Sequence, residues 1–257
     1  MSIFSKDEHK LWVGSPMAQG PFQGLQGGGL AGLMVYELEK EAEAKGLGMA
    51  VSASIEFHKP TPNLPFQSIP QMVRQGRRVS FMSNAIIVDG VQTATASVCF
   101  VNPVEMDAVT SPASTELDPY AGQQAPQPKA PHGAPWMMDS FDVRHAEADN
   151  IVWFHQKVPL VSGMTPLARV LVPADWTHGL RRPMTPYLIA DPNLNLQVAV
   201  SRHPVGDHIG IRACTSWQSN GIGLGEGAIL DENGPFGRVS MSVALTPMPQ
   251  PGPEQAA

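Results

Sequence analysis

Apolar residues follow two periods along this chain, and each period occurs twice. Leu30, Leu33, Met34 and Leu38 fall at helical spacing, with Glu and Lys on the other face, so the spacing predicts an amphipathic helix over residues 30–45. A Gly-rich turn, Gly27-Gly28-Gly29, leads into it, and Gly46 and Gly48 stop it. The pattern then becomes alternating. Val51, Ala53, Ile55 and Phe57 share one face and Ser52, Ser54, Glu56 and His58 the other, which predicts a half-buried strand. Residues 71–74, 79–88 and 91–101 read as three more strands. The last two form a hairpin around Asp89-Gly90, a type I′ turn pair.

The second half repeats this order. Residues 151–158 read as a strand, and Thr165-Pro166 as a helix start with a capping hydroxyl and Pro at the first helical position. Leu167, Val170 and Leu171 stand 137 residues after Leu30, Leu33 and Met34. Leu194, Leu196, Val198 and Val200 stand 143 residues after the alternating strand of the first half. An insertion at His203 then restores an offset of 144, which relates Pro60 to Pro204 and Gly90 to Gly234. Strands over 209–216, 221–230 and 236–245, with a turn at Asn233-Gly234, complete the second set. The chain thus reads as one unit duplicated, each copy a strand, one long helix and then four antiparallel strands. One helix buries its stripe only if the sheet wraps it, and pairing two copies gives a continuous sheet carrying two helices. The expected organisation is a first copy over 1–102, a Pro/Ala/Gln-rich linker over 103–135, a second copy over 136–246 and a loose tail over 247–257.

Composition narrows the function classes. The 257 residues carry a formal charge of -6, which argues against a dedicated nucleic-acid binder. No apolar run reaches the length of a membrane span, and the first ten residues lack a signal-peptide core, so a cytoplasmic protein is the expectation. Cys99 and Cys214 lie in strand-like runs without metal spacing and read as small buried hydrophobes. His58, His155 and His203 are scattered, and no metal is expected. Trp12, Trp153 and Trp217 read as core or interface anchors.

The copies differ most at Asp175. It continues the buried face marked by Leu167 and Leu171, where the first copy has Leu38. An unpaired buried carboxylate costs several kcal/mol, so it needs partners or a function. Alternatively Pro173 ends the helix and Asp175 is a solvated loop residue. Asn193 and Asn195, where the first copy has Ala50 and Ser52, can each orient Asp175 or a water, or can be turn residues after Asp191-Pro192. Gly28 and Gly29 can bring a backbone N–H to a carbonyl or phosphate oxygen, or can serve close packing. Arg74, Arg77 and Arg78 can meet phosphates, or can form a solvated strand face.

Taken together, these segments resemble the acyl-CoA thioesterase II, or TesB-like, double-hotdog thioesterases from about Leu11 to Leu245. The resemblance rests on Gly27-Gly28-x-x-x-Gly32, with Gly29 where a Gln is often found, and on Gly76-Arg77-Arg78-Val79 before the Asp89-Gly90 hairpin. It rests also on Leu167 to Asp175, on Asn193 through Arg202, and on Gly221-x-Gly223 through Gly237-Arg238. It implies an α+β double hotdog that hydrolyses acyl-CoA to free acid and CoA in fatty acid metabolism, without a metal and with CoA only as part of the substrate. The family's Asp falls on Asp175, its hydroxyl residue on Asn193, and its Gln on Met241, or on Ser242 if the alignment slips by one. The candidate catalytic set is therefore Asp175, Asn193 and the substituted Met241, with Gly28, Gly29, Arg77 and Arg78 as candidate substrate contacts. A backbone N–H at the helix start would polarise the thioester carbonyl, and the acyl chain would lie between helix and sheet. The alternatives are an acyl-CoA or fatty-acyl binding protein without catalysis, which the residues at 193 and 241 favour, and a hotdog hydratase. The hydratase ranks last because no Asp is followed by His five residues on. A homodimer through outer sheet edges or faces is the guess for assembly.

Overall fold

The computed structural model describes residues 2–22, 24–110, 113–125, 129–130, 133–185 and 189–248. Strands β1 (Phe4–Lys6) and β2 (Trp12–Gly14) pair as a short ribbon. Helix α1 (Gly27–Lys45) follows, then β3 (Met49–Phe57), β4 (Gln67–Arg74), β5 (Val79–Val88) and β6 (Val91–Val101). The second half begins with β7 (Gln123–Gln124), β8 (Phe141–Ala146) and β9 (Ile151–Gln156). It continues through α2 (Ala168–Asp175), α3 (Thr177–Leu180) and β10 (Ile189–Ala190). Strands β11 (Asn195–Val200), β12 (His208–Trp217), β13 (Ile222–Asp231), β14 (Gly234–Ala244) and β15 (Thr246–Pro247) end the described chain.

Eleven strands form one antiparallel sheet in the order β4-β5-β6-β3-β11-β14-β13-β12-β9-β8-β7. The order β4-β5-β6-β3 in one half matches β12-β13-β14-β11 in the other, and the halves join where β3 meets β11. Ile55 stands opposite Leu196 there and Ala53 opposite Val198, all buried. A slip of one residue would turn both apolar rows to solvent, so alternation fixes this register. The helices pack together on the inner face, and one core cluster contains Leu33, Met34, Leu38, Leu171, Ile55 and Val198. This is the double hotdog that the resemblance implies, of the α+β class. Among the described residues no helix is long and apolar enough to cross a membrane.

Several local expectations are corrected. Gly27, Gly28 and Gly29 are not a turn before α1 but its first turn, because the Gln26 side chain caps the helix one residue earlier. Thr165-Pro166 does not start α2, which begins at Ala168. The second copy also lacks a single long helix: Pro173, inside α2, has no N–H for the ladder, and the path breaks at Trp176 into α2 and the four-residue α3. The first hairpin turns on Asp89-Gly90, both left-handed, as expected. In the second, Asp231 pairs with Gly234, so the turn residues are Glu232 and Asn233, and Gly234 takes the positive φ. The Pro-rich stretch contributes an edge strand, β7, on β8. At the tail, Thr246–Pro247 pairs with Ile189–Ala190, and residues 249–257 lie outside the described residues. The cysteines are not buried: strand alternation turns Val98, Phe100 and Ala213 inward, leaving Cys99 half-buried and Cys214 exposed.

Glu39 is a further departure. The helical stripe assigns it to the polar face of α1, yet it is buried. Its carboxylate accepts from Thr165 Oγ1 at 2.6 Å and from the Leu167 and Ala168 amides at 3.0 Å each. The amino end of α2 is thus capped by a carboxylate from α1, which satisfies donors that no residue before α2 reaches. Burial pushes the Glu39 carboxyl above its usual range, while these hydrogen bonds oppose that. Glu39→Ala leaves three buried donors unpaired and is expected to cost about 3 kcal/mol, or roughly 10 °C of melting temperature. Glu39→Gln keeps an acceptor and should lose about a third of that. Thermal unfolding of both variants checks the cap; a change in Glu39→Ala of under about 2 °C would deny it.

Candidate functional site

Asp175 ends α2, and Gly28 lies in the first turn of α1, so the two helices meet at these residues. A Cβ on Gly28 would stand 2.5 Å from Cβ of Asp175 and 2.8 Å from both Leu171 O and Val172 Cα. Only glycine therefore lets the backbone of α2 approach this closely. The carboxylate arrives at the amino end of α1, where unpaired amides and the helix field favour an anion.

Asp175 is 4% exposed, and every group known to hold it is a donor. Asn193 Nδ2 donates to Oδ1 at 2.7 Å, and Gln26 Nε2 donates to Oδ2 at 2.5 Å. The backbone amide of Gly28 also donates to it. Gln26 is fixed in turn, because its Oε1 accepts from the Gly29 amide at 2.6 Å. Burial pushes the Asp175 carboxyl above its ordinary range, opposed by His178, the Gly28 amide and Asn193. The arrangement is a desolvated carboxylate oriented by fixed dipoles. Such a group is a stronger proton acceptor than a solvated one and can act as a general base.

The sequence-derived candidates divide. Asp175, Asn193, Gly28 and Gly29 come together across residues far apart in the chain. Asn195 does not join them, because its Oδ1 accepts from the Ser242 amide at 2.8 Å. Met241 is buried and brings a thioether, in place of an amide, to the inner face of β14. Arg77 and Arg78 are exposed, and their carbonyls accept from Asn102 beside the carboxyl end of α1. Helix α1 runs nineteen residues from Gly27 to that end, a span of roughly 27 Å. The structure therefore does not bring Arg77 and Arg78 to Asp175. Sequence reasoning missed Gln26, whose one signal was its place immediately before a Gly-rich helix start. Near the same helix start stand Phe57, Met137 and Leu160, which a Cβ on Gly27 or Gly29 would approach. An open groove of about 860 Å³ lies on the outer face of the sheet, lined by Gln197, Arg212, Cys214 and Glu226 among others, away from this carboxylate.

Two family models match the chain. Residues 15–101 match the acyl-CoA thioesterase N-terminal domain and residues 103–243 the acyl-CoA thioesterase C-terminal domain. Solved structures with similar folds include a conserved hot dog protein of unknown function from Alicyclobacillus acidocaldarius. It is 18% identical with a TM-score of 0.69, over 96% of each chain. The tesB protein of Mycobacterium avium subs paratuberculosis is 14% identical with a TM-score of 0.67, over 95% of this chain and 96% of that one. The acyl-CoA thioesterase II TesB2 of Mycobacterium marinum is 14% identical with a TM-score of 0.67, over 96% of this chain and 97% of that one. At these identities the likeness shows the fold. No curated protein matches.

Proposed function

The chain belongs to the acyl-CoA thioesterase family, and on that premise we propose that it hydrolyses an acyl-CoA thioester to free acid and CoA through a water activated by Asp175. The observation that carries this reading is the buried carboxylate at the amino end of α1, held by Gln26, Asn193 and the Gly28 amide.

In this mechanism a water beside Asp175 attacks the thioester carbonyl carbon, and Asp175 takes its proton. The carbonyl oxygen gains the charge at the start of α1, where the helix field favours an anion. When the tetrahedral adduct collapses, the C–S bond breaks and the thiolate leaves with the sulfur electrons. The proton on Asp175 then passes to the sulfur, which restores the carboxylate. Asn193 and Gln26 hold the carboxylate oxygens throughout, and no metal or cofactor takes part. Phe57, Met137 and Leu160 offer an apolar wall to the acyl chain next to the reacting carbon.

The test is free-thiol release from short, medium, long and aromatic acyl-CoAs, joined to a single turnover in ¹⁸O-water. Direct attack by water places the label in the product acid. Unlabelled acid from a first turnover would instead make the Asp175 carboxylate the nucleophile. Tight acyl-CoA binding without thiol release from any substrate would favour the binding-protein reading, to which the thioether of Met241 lends its weight.

A further inference from the structure

Ala53, Val198, Val239 and Ala213 are buried on the inner face, so their neighbours along each strand point to the outer face. Two rows of cross-strand partners result there. One runs Ser52, Ala199, Arg238, Ala228, Arg212, and the other Ser54, Gln197, Ser240, Glu226, Cys214. Both line the outer groove of about 860 Å³. In the first row Ala228 stands between the two arginines. Their Cα atoms are therefore two strand spacings apart, roughly 10 Å. The floor between them is a methyl group, so a ligand can settle between two guanidinium groups.

The arginines are prepared for an anion. Arg212 Nε donates to the Asp149 carbonyl at 3.1 Å, which fixes the stem. Its two terminal nitrogens have no partner among the described residues, and neither has the exposed side chain of Arg238. Glu226, the one carboxylate among the lining residues, lies in the neighbouring row and pairs with neither arginine. Two positive charges thus stand unmatched on a chain whose formal charge is -6. A guanidinium presents a planar fork that fits phosphate oxygens bidentately. Two forks on either side of Ala228 can close on the two phosphates of a diphosphate. The second row suits a different group. Glu226 repels a further anion but accepts from hydroxyls, and Gln197, Ser240 and Ser54 can donate or accept beside it. A hydroxyl-bearing sugar fits that row.

We propose that this groove binds a diphosphate ester of a sugar, as in a nucleoside diphosphate, with Arg212 and Arg238 on the phosphates and the Glu226 row on the sugar hydroxyls. The site lies on the face of the sheet opposite Asp175 and does not depend on Asp175 acting as a base. ADP is the probe and inorganic pyrophosphate the phosphate-only comparison, in calorimetric titrations at low ionic strength. ADP binds, and pyrophosphate binds about tenfold more weakly. Arg212→Ser and Arg238→Ser each weaken ADP at least about tenfold. Arg238→Lys keeps the charge, loses the fork and weakens ADP nearly as much. Glu226→Ala removes the advantage of ADP over pyrophosphate. All these side chains are exposed, so the variants retain the fold, and kcat and KM for acyl-CoA hydrolysis stay unchanged. ADP bound where CoA binds would instead survive both serine substitutions and raise KM for acyl-CoA, which would overturn the proposal. Absence of ADP binding would overturn it, as would binding that Arg238→Lys leaves intact, since that is attraction of charge alone. Equal affinities for ADP and pyrophosphate would remove the sugar from it. A dimer that dissociates in Arg238→Glu, followed by sedimentation velocity, would give this face to a second copy of the chain and overturn the site as well.

Discussion

Asp175→Asn lowers acyl-CoA hydrolysis about a thousandfold and leaves acyl-CoA binding within a few-fold of the unsubstituted protein. A positioned general base contributes about 10²–10⁴ in rate, and an amide of the same shape cannot take the proton from water. The steric frame survives, because the change adds no heavy atom where Gly28 approaches residue 175. The loss should therefore fall on kcat, in thiol release followed at saturating substrate. A protein that only binds acyl-CoA would show no difference between the two forms. Stability carries an independent signature. Burial raises this carboxyl above its value in the unfolded chain, so the folded state holds the proton more readily. Folding stability then falls as pH rises from the usual carboxylate range through the raised folded value, and the deficit is constant above it. Asp175→Asn removes that dependence. Thermal unfolding between about pH 4 and pH 8 should show the unsubstituted protein losing ground to the variant as pH rises, and parallel curves would mean that residue 175 is not buried as a charge.

The duplication was legible because the signals that report it are periodic. Alternation in residues 51–57 and 194–200 predicts the two strands that join the halves, and their apolar rows leave one register. Asp175 was legible because a carboxylate stood where the period required an apolar residue. The opposite case, Glu39, was missed for a related reason. A glutamate among Glu and Lys on a helix reads as solvent-facing, and nothing in the local sequence says that the other helix begins against it. Gln26 was missed likewise, since its partner lies 149 residues away and contacts between copies leave no mark on local spacing. The resemblance pointed to strand β14 for a glutamine and found Met241, whereas a glutamine amide that reaches Asp175 comes from Gln26, at the start of α1. Arg77 and Arg78 were singled out as contacts for phosphates rather than for the carboxylate, and they lie the length of α1 away from Asp175.

Gly28→Ala is expected to cost about 3 kcal/mol of stability and about a hundredfold in kcat, whereas Gly29→Ala, one residue on, stays close to neutral in both. In an isolated helix both changes would help, since Ala exceeds Gly by about 1 kcal/mol in helix propensity. What the new methyl meets decides the sign. At residue 28 it meets Leu171 O and Val172 Cα at 2.8 Å, which is backbone of α2 and cannot swing aside. The helices must separate, and overpacking of this kind costs about 1–3 kcal/mol or more, exceeding the propensity gain. Because Asp175 Cβ stands 2.5 Å from the same point, the carboxylate moves with α2. A displacement of about 1 Å at a reacting group costs roughly 10²-fold in rate. At residue 29 the nearest atom is Cε of Met137, at 2.4 Å, the far end of a flexible side chain that can rotate away. Denaturation midpoints and thiol-release rates of the two variants, taken side by side, test whether the site depends on the approach of the two helices. Equal effects at 28 and 29 would mean that the first turn of α1 tolerates a methyl regardless of what lies opposite, and the close contact would then not be what holds Asp175 in place.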